Sequence, residues 1–246
     1  MIDWDDCTPL TREEFDSFIG MAIPFLKSME DKNGWDFFVN DMSIRRFCNR
    51  FFIEAFKFND YEDYQRYNTK VKDIQNDFIT GPLGTPEAVA IVPKVKEKIE
   101  EAAENGDVII YTRDTHFEDY LDTKEGKALP VPHCIYETDG WGLVEELDTL
   151  SHLYRNVYCI DKLTFGSKHL PEILKEDNLA LFCNEIELVG VCTDICVVSN
   201  ALILKSHFYQ TMDITVDASC CAGTTPENHK AALRVMKSCQ INVINE

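Results

Sequence analysis

The chain has 246 residues, a formal net charge of −19 and a hydrophobic fraction of 45%. This length accommodates one large domain or two modest ones, and the hydrophobic fraction is typical of a globular protein rather than a disordered one. A charge this negative repels phosphate backbones and anionic lipids, so we expect no nucleic-acid partner and no membrane partner. No segment approaches ~18 consecutive apolar residues, and the acidic N-terminus lacks an export signal, so we expect a cytoplasmic protein.

Residues 1–66 differ from the rest of the chain in the spacing of their apolar residues, and this spacing predicts a helical extension of unknown role. Thr11, followed closely by two glutamates, is typical of a helix N-cap, and apolar side chains recur at helical spacing over residues 15–26. A second helix is predicted over residues 43–58. We therefore predict a domain boundary after residue 66.

Residues 67–246 alternate short apolar runs with helical segments, the pattern of a parallel sheet that is covered by helices on both faces. Two helices are predicted to begin at a threonine cap followed by proline, at Thr85 and Thr225. The fold class is therefore α/β, a three-layer α/β/α domain preceded by the helical extension. The clearest predicted strands are Asp107–Thr112, Val157–Ile160, Ile186–Val191, Ile214–Ala218 and Ile241–Ile244.

Parallel sheets of this kind bind ligands at the carboxyl ends of their strands, and the ionisable residues of this domain gather there. A carboxylate, a lysine and a cysteine suffice for the nucleophilic hydrolysis of an amide. The carboxylate takes the thiol proton, the ammonium stabilises the anions, and the thiolate attacks the carbonyl carbon. The residues at the predicted strand ends are Asp73, Asp114, His116, Lys162 and Cys196, with Glu125 and His133 in the loop between two strands.

The segment V-G-V-C-T-D-I-C-V-V (Val189–Val198) supplies the cysteine. A strand is predicted to end within it and a helix to begin at Cys196, where the positive end of the helix dipole favours a thiolate. Cys192 and Cys196 are four residues apart, but the neighbouring sequence offers no further zinc ligands. We expect most of the ten cysteines to be buried thiols.

Four segments, in order along the chain, resemble the isochorismatase-like cysteine hydrolases and, among these, the nicotinamidases. One such segment alone is a weak signal, but four in the right order are specific, and the resemblance extends over residues from about 71 to 246. The segments are D-I-Q-N-D-F (Asp73–Phe78), T-R-D-T-H (Thr112–His116) followed by P-H-C (Pro132–Cys134), D-K-L-T-F-G-S (Asp161–Ser167) and G-V-C-T-D-I-C-V (Gly190–Val197).

The resemblance implies a role for each matching residue. Asp73, Lys162 and Cys196 would form the catalytic triad. The N–H groups of Cys192 and Cys196 would form the oxyanion hole, helped by a cis peptide bond between Val191 and Cys192. Phe78 would line the substrate pocket. A divalent metal ion (zinc, iron or manganese) would be held by Asp114, His116 and His133, with Glu125 as a further ligand.

The activity that the resemblance implies is the metal-assisted hydrolysis of nicotinamide, or of a similar small aromatic amide, to the acid and ammonia through a thioester. Such a hydrolase acts on a linear amide C–N bond and would serve NAD salvage. Its partner would be a small-molecule amide, and homo-oligomer formation is left open. The alternatives are a related cysteine hydrolase acting on another small amide or on isochorismate, and a catalytically silent binding or scaffold protein.

Three features depart from the family pattern, and the first is the helical extension over residues 1–66, which has no counterpart in a minimal family member. The residues before Asp73, Tyr67–Lys72, are mostly polar, which is unfavourable in a strand buried on both faces. They predict a short or distorted strand, or an Asp73 that is held differently. Thr115 stands where nicotinamidases often have an aromatic residue. The other histidines are expected in surface or capping roles: His152, His169, His207 and His229.

Overall fold

The structure, a computed structural model, describes residues 68–154, 157–176 and 185–246, with side chains from Ile74 onward except that of His152. The predicted helical extension over residues 1–66 lies outside these ranges, so the boundary after residue 66 stays a prediction. Among the helices in the three ranges, none is long and apolar enough to cross a membrane.

A parallel sheet forms the centre of the domain, as the alternating pattern predicts. Its strands are β1 (Asn68–Asp73), β2 (Val108–Asp114), β3 (Val157–Lys162), β4 (Glu185–Val191), β5 (Asp213–Ala222) and β6 (Asn242–Ile244). Their spatial order is β3-β2-β1-β4-β5-β6. Strands β2 and β3 are added on one side of β1, and the chain then crosses to β4 on the other side. The direction of strand addition reverses between β1 and β4, and ligands bind at such switch points of parallel sheets.

Helices cover both faces of the sheet. They are α1 (Asn76–Ile79), α2 (Pro86–Glu104), α3 (Lys124–Ala128), α4 (Glu145–Leu153), α5 (Leu170–Glu176), α6 (Val198–His207) and α7 (Pro226–Ser238), with a 3-10 turn at Tyr120–Asp122. Alternate side chains of β2 belong to the cores on opposite faces of the sheet. Val108 and Ile110 lie in the core that includes residues of α5, α6 and α7, whereas Ile109 and Tyr111 lie in the core that includes residues of α2 and α4. The three-layer prediction is therefore confirmed.

Two helices begin at the threonine caps that the sequence predicts. The Thr85 hydroxyl accepts a hydrogen bond from Ala88 N at 3.0 Å, and α2 begins at the proline that follows it. Thr225 caps α7 in the same way, accepting from Asn228 N at 3.1 Å. These caps satisfy backbone N–H groups that the first helical turn leaves without partners, so both helices start at fixed positions beside the carboxyl ends of the strands.

Strand β1 forms in spite of its polar sequence. Its residues pair in continuous parallel register with β4, from Asn68 opposite Glu185 to Asp73 opposite Gly190, and on the other side with β2. The expected short or distorted strand is not observed. The backbone hydrogen bonds offered by two apolar neighbouring strands outweigh a weak local strand propensity, as is common for central strands. Asp73 therefore ends a regular strand at the switch point.

Candidate active site and metal centre

The ends of the strands bring the predicted residues together at one edge of the sheet. Asp73 ends β1, Asp114 ends β2 and Lys162 ends β3. β2 and β3 thus run further than the sequence predicted, and Asp114 is paired with Lys162 in the ladder. The side chain of Asp73 lies outside the described side chains, so its catalytic role stays a prediction that rests on this backbone position.

The nucleophile turn, which we define as Thr193–Val197, follows β4 directly. It is a single π-helical turn, in which both Ile195 N and Val197 N donate to the Cys192 carbonyl at 3.0 and 3.1 Å. The regular helix α6 begins only at Val198, so the prediction that a helix starts at Cys196 is wrong in detail. The peptide bond between Val191 and Cys192 is cis, as the family resemblance implied.

Lys162 lies between the thiol and a carboxylate. Its Nζ is 3.4 Å from Cys196 Sγ and 3.6 Å from Asp114 Oδ1. Lys162 and Cys196 are each only 3% exposed. A buried ammonium at this distance stabilises a thiolate, because an ion pair is poorly screened where water is excluded. The geometry therefore suits a nucleophilic cysteine.

The four residues proposed as metal ligands converge. Asp114 Oδ2 is 3.2 Å from His116 Nε2 and 3.5 Å from His133 Nε2, and Glu125 Oε1 is 3.6 Å from His116 Nε2. One donor atom from each residue lies within 4.8 Å of all the others. His133 Nδ1 is 2.8 Å from the carbonyl of Val131, which turns Nε2 toward the cluster.

The chemistry of this set fits a divalent cation. Two imidazoles and two carboxylates suit zinc, iron or manganese. Asp114 Oδ1 has no hydrogen-bond partner among the described residues and faces the ammonium of Lys162 at 3.6 Å, which leaves Oδ2 for the histidine cluster. Burial alone would raise the pKa of Asp114, but hydrogen bonds from His116 and His133 and the charge of Lys162 hold it below its ordinary value. The carboxylate therefore stays ionised, as a metal ligand must.

Three consecutive residues after β1 anchor the backbone of the metal-binding segments, a role that sequence reasoning missed. Gln75 Oε1 accepts from Asp114 N at 2.6 Å, and its Nε2 donates to the carbonyls of Asp114 and Trp141 at 2.9 and 2.8 Å. Asn76 Nδ2 donates to the carbonyl of Asp139 at 2.8 Å. Asp77 Oδ2 accepts from the N–H of Cys134, the residue after the ligand His133, at 2.7 Å. The available signal was the run of three polar residues between Ile74 and Phe78.

A cavity of about 420 Å³ opens between the nucleophile and the metal cluster. It is mostly apolar, and Phe78 lines it as predicted, with its ring 5.6 Å from that of His133. Sequence reasoning missed several wall residues, among them Phe165, which is 48% exposed. The described lining consists of Phe78, Pro82, Leu83, Gly84, Thr85, Asp114, Glu125, Leu129, His133, Phe165, Cys192, Ile195, Cys196 and Thr224.

Two histidines outside the cluster make different contacts. His169 is exposed and pairs with Glu172 at 2.8 Å, a local helix interaction as predicted. His229 is different, because its Nδ1 is 2.8 Å from the hydroxyl of the buried Thr193 in the nucleophile turn. The predicted surface or local capping role does not describe His229, which is half-buried and contacts a residue 36 positions away. Its contact crosses between two segments far apart in the sequence, so no local pattern could have indicated it.

Comparison with known proteins agrees with this architecture. A family model described as the isochorismatase domain matches residues 71–246. An uncharacterized isochorismatase family protein, PncA of Bacillus subtilis (strain 168), is 31% identical over 174 residues, which are 65% of this chain and 88% of that protein.

Solved structures are similar over the same region. The nicotinamidase PncA from Bacillus subtilis is 26% identical with a TM-score of 0.62, and the match covers 73% of this chain and 99% of that one. The pyrazinamidase of Pyrococcus horikoshii in complex with zinc is 27% identical with a TM-score of 0.60, covering 74% of this chain and 99% of that one. These matches agree with the parallel-sheet fold.

Proposed function

The chain belongs to the isochorismatase family, and from this premise we propose that it is a metal-assisted cysteine amidase. Its substrate is nicotinamide or a similar small aromatic amide, and its products are the acid and ammonia. The observation that carries the proposal is that Cys196 and three of the metal-site residues, Asp114, Glu125 and His133, line one apolar cavity. The similar nicotinamidase and pyrazinamidase structures support the choice of substrate class.

In the first half of the reaction, residues of this chain form the thioester and release ammonia. Asp73 takes the thiol proton of Cys196, and Lys162, 3.4 Å from the sulfur, stabilises the resulting thiolate. The thiolate attacks the carboxamide carbon, and the backbone N–H groups of Cys192 and Cys196 hold the oxyanion. The C–N bond then breaks, and Asp73 gives its proton to the departing ammonia.

The second half of the reaction regenerates the thiol. Asp73, now ionised, takes a proton from water, and the hydroxide attacks the thioester carbon. The C–S bond breaks, the acid is released, and the proton on Asp73 returns to the Cys196 thiolate. Each bond that forms is thus matched by one that breaks, and no oxidant or reductant is needed.

Asp114, His116, Glu125 and His133 would hold the metal ion beside the cavity. When bound, the ion supplies a Lewis-acid site for the ring nitrogen of the substrate, which orients the carboxamide toward Cys196. The zinc complex of the similar pyrazinamidase supports a divalent ion. Phe78, whose ring lies against that of His133, supports the aromatic ring of the substrate from the side.

The cavity favours a neutral amide over isochorismate. Among its described lining residues there is neither lysine nor arginine, whereas two are acidic, Asp114 and Glu125. A dicarboxylate such as isochorismate would bring two negative charges to a wall without lysine or arginine, whereas a neutral amide brings none. We propose that the reaction occurs in the cytoplasm and returns nicotinate to NAD salvage.

The experiment that tests the proposal measures ammonia release from nicotinamide by the metal-loaded full-length protein. We expect Cys196→Ala to abolish release, whereas Cys239→Ala, which removes an exposed thiol at the end of α7, retains it. Removal of metal with a chelator should lower the rate, and added metal should restore it. No release by the metal-loaded wild type would refute the substrate and favour a silent or differently specific relative. Release that survives Cys196→Ala would refute the mechanism.

A further inference from the structure

We propose that four residues clamp the nucleophile turn against the start of α7 and thereby set the position of Cys196. The clamp consists of Thr193, Asp194, Thr224 and His229. Two of its residues precede Cys196 within the turn, and the other two come from the loop after β5 and from the first turns of α7. The inference rests on the proposed function in one respect, that Cys196 is the nucleophile.

The first half of the clamp is a carboxylate held at both oxygens. Asp194 Oδ1 accepts from Thr224 N at 2.8 Å, and Asp194 Oδ2 accepts from the Thr224 hydroxyl at 2.5 Å. Asn228 Nδ2 donates in turn to the same hydroxyl at 2.9 Å, which fixes its direction. Hydrogen bonds to an ionised group are stronger than neutral ones, so this contact defines the relative position of two segments thirty residues apart.

The second half is the contact between Thr193 and His229. Thr193 is fully buried, and its hydroxyl lies 2.8 Å from His229 Nδ1. A buried hydroxyl without a partner is costly, so this contact restricts the side chain to one orientation. Adjacent residues of the turn are therefore tied to two different points around the start of α7.

Gly223 shows how closely the two segments approach. A Cβ atom at this position would lie 2.8 Å from both Asp194 Oδ1 and His229 N. No side chain larger than hydrogen fits between the turn and the helix start. Thr224, the next residue, lines the cavity, so the clamp joins the nucleophile turn to the wall of the substrate site.

The clamp acts on chemistry through the distance between Cys196 and Lys162. That distance is 3.4 Å, and neither Cys196 nor Lys162 belongs to the clamp. A π-helical turn is a short, locally irregular element, so its shape depends on what holds its ends and side chains. Release of Asp194 lets the turn shift, and a displacement of about 1 Å between reacting groups costs about a hundredfold in rate. The four residues thus act through the position of Cys196, which makes them positioning residues.

The test compares Asp194→Ala with Asp194→Asn in the full-length, metal-loaded protein. Asparagine keeps an acceptor for Thr224 N and can donate to the Thr224 hydroxyl, so it preserves the geometry. We expect Asp194→Ala to lower kcat by about a hundredfold with little change in KM, and Asp194→Asn to retain most of the rate. The matched control is Asp213→Ala, which removes an exposed carboxylate at the opposite end of β5.

A second measurement does not depend on the substrate. The rate of iodoacetamide alkylation at Cys196, followed by mass spectrometry of its peptide, is recorded as a function of pH. In Asp194→Ala the midpoint of this profile should move to higher pH, because the sulfur no longer lies beside Lys162. In Asp194→Asn and Asp213→Ala it should not move.

The outcomes separate the clamp from the proposed activity. If wild type releases no ammonia, the activity is refuted while the alkylation profile still tests the clamp. If Asp194→Ala does not fold, Thr193→Val removes one hydroxyl from the clamp at nearly constant volume and should move the profile in the same direction. A folded Asp194→Ala or Thr193→Val protein with the wild-type kcat and alkylation midpoint would overturn the clamp.

Discussion

Replacement of Gln75 by leucine should weaken metal binding although this side chain is not among the metal-site residues. Gln75 is 1% exposed, and its amide binds both the N–H and the carbonyl of Asp114 as well as the carbonyl of Trp141. Leucine removes these three hydrogen bonds and offers none. A buried polar group left unpaired costs about 1–3 kcal/mol, so we expect the free energy of unfolding to fall by about 3 kcal/mol.

Gln75→Leu should lower the affinity for metal because Asp114 is one of the proposed ligands. Without Gln75, the backbone of Asp114 is held by the β3 side of the ladder alone, and its carboxylate is less well oriented toward His116 and His133. Loss of a residue that orients a ligand typically lowers metal affinity about 10–100-fold. The affinity is measured by competition for zinc with a coloured chelator, on metal-free protein, at a temperature where circular dichroism shows that the variant is folded.

Gln210→Leu is the matched control, because it makes the same change at an exposed position near the end of α6. It should leave both the affinity for zinc and the stability near those of wild type. A folded Gln75→Leu protein that binds zinc as tightly as wild type would refute the reasoning, since it would mean that Asp114 is oriented without this amide. A lower stability with unchanged affinity would limit Gln75 to a structural role.

Two further predictions concern stability. Burial alone would lower the pKa of Lys98 and raise that of Asp217. The 2.8 Å ion pairs of Lys98 with Asp217 and Glu187 raise the pKa of Lys98 instead, and Lys98, Ser219 and Asn245 together lower that of Asp217. Asp217 thus contributes to the free energy of unfolding at neutral pH, and this contribution is lost as the pH falls through the carboxylate range. The contribution of Lys98 to the same free energy persists until strongly alkaline pH. Lys98→Met should lower the free energy of unfolding by about 3 kcal/mol at pH 7, as measured by urea titration. An equally large loss at acidic pH would contradict the expected pH dependence. Gly140→Ala places a Cβ 2.2 Å from the Asp77 carboxylate and should lower the thermal midpoint, whereas Gly142→Ala, whose nearest contact is 3.3 Å, should be tolerated; equal midpoints would show that the loop adapts.

Local patterns predicted the elements of the fold well. Thr85 and Thr225 mark helix starts because a capping hydroxyl and a following proline satisfy needs of the first helical turn alone. Mostly apolar runs such as that in β4, which is interrupted by Glu187, predicted buried parallel strands, because burial on both faces favours apolar side chains. The same rule failed for β1, where pairing with two neighbours decided the structure.

The candidate site was predicted as a set of residues, and the geometry that joins them was not. Lys162 and Cys196 could be named because their types match the chemistry and each follows a predicted strand. The roles of Phe78 and of the metal residues were implied by the family resemblance. The hydrogen bonds of Gln75 to Asp114 span 39 residues, and the contact of Thr193 with His229 spans 36. No periodicity or spacing in the chain encodes such pairs.

The sequence by itself determined the layers, the order of strands and helices, and the side chains available for catalysis, because these follow from interactions between residues close in the chain. Tertiary structure alone decided how β1 is held, which residues orient the metal ligands, and how the turn carrying Cys196 meets α7. Those features depend on hydrogen bonds and close packing between distant segments. Their positions become fixed only when the sheet assembles and brings the strand ends to one edge.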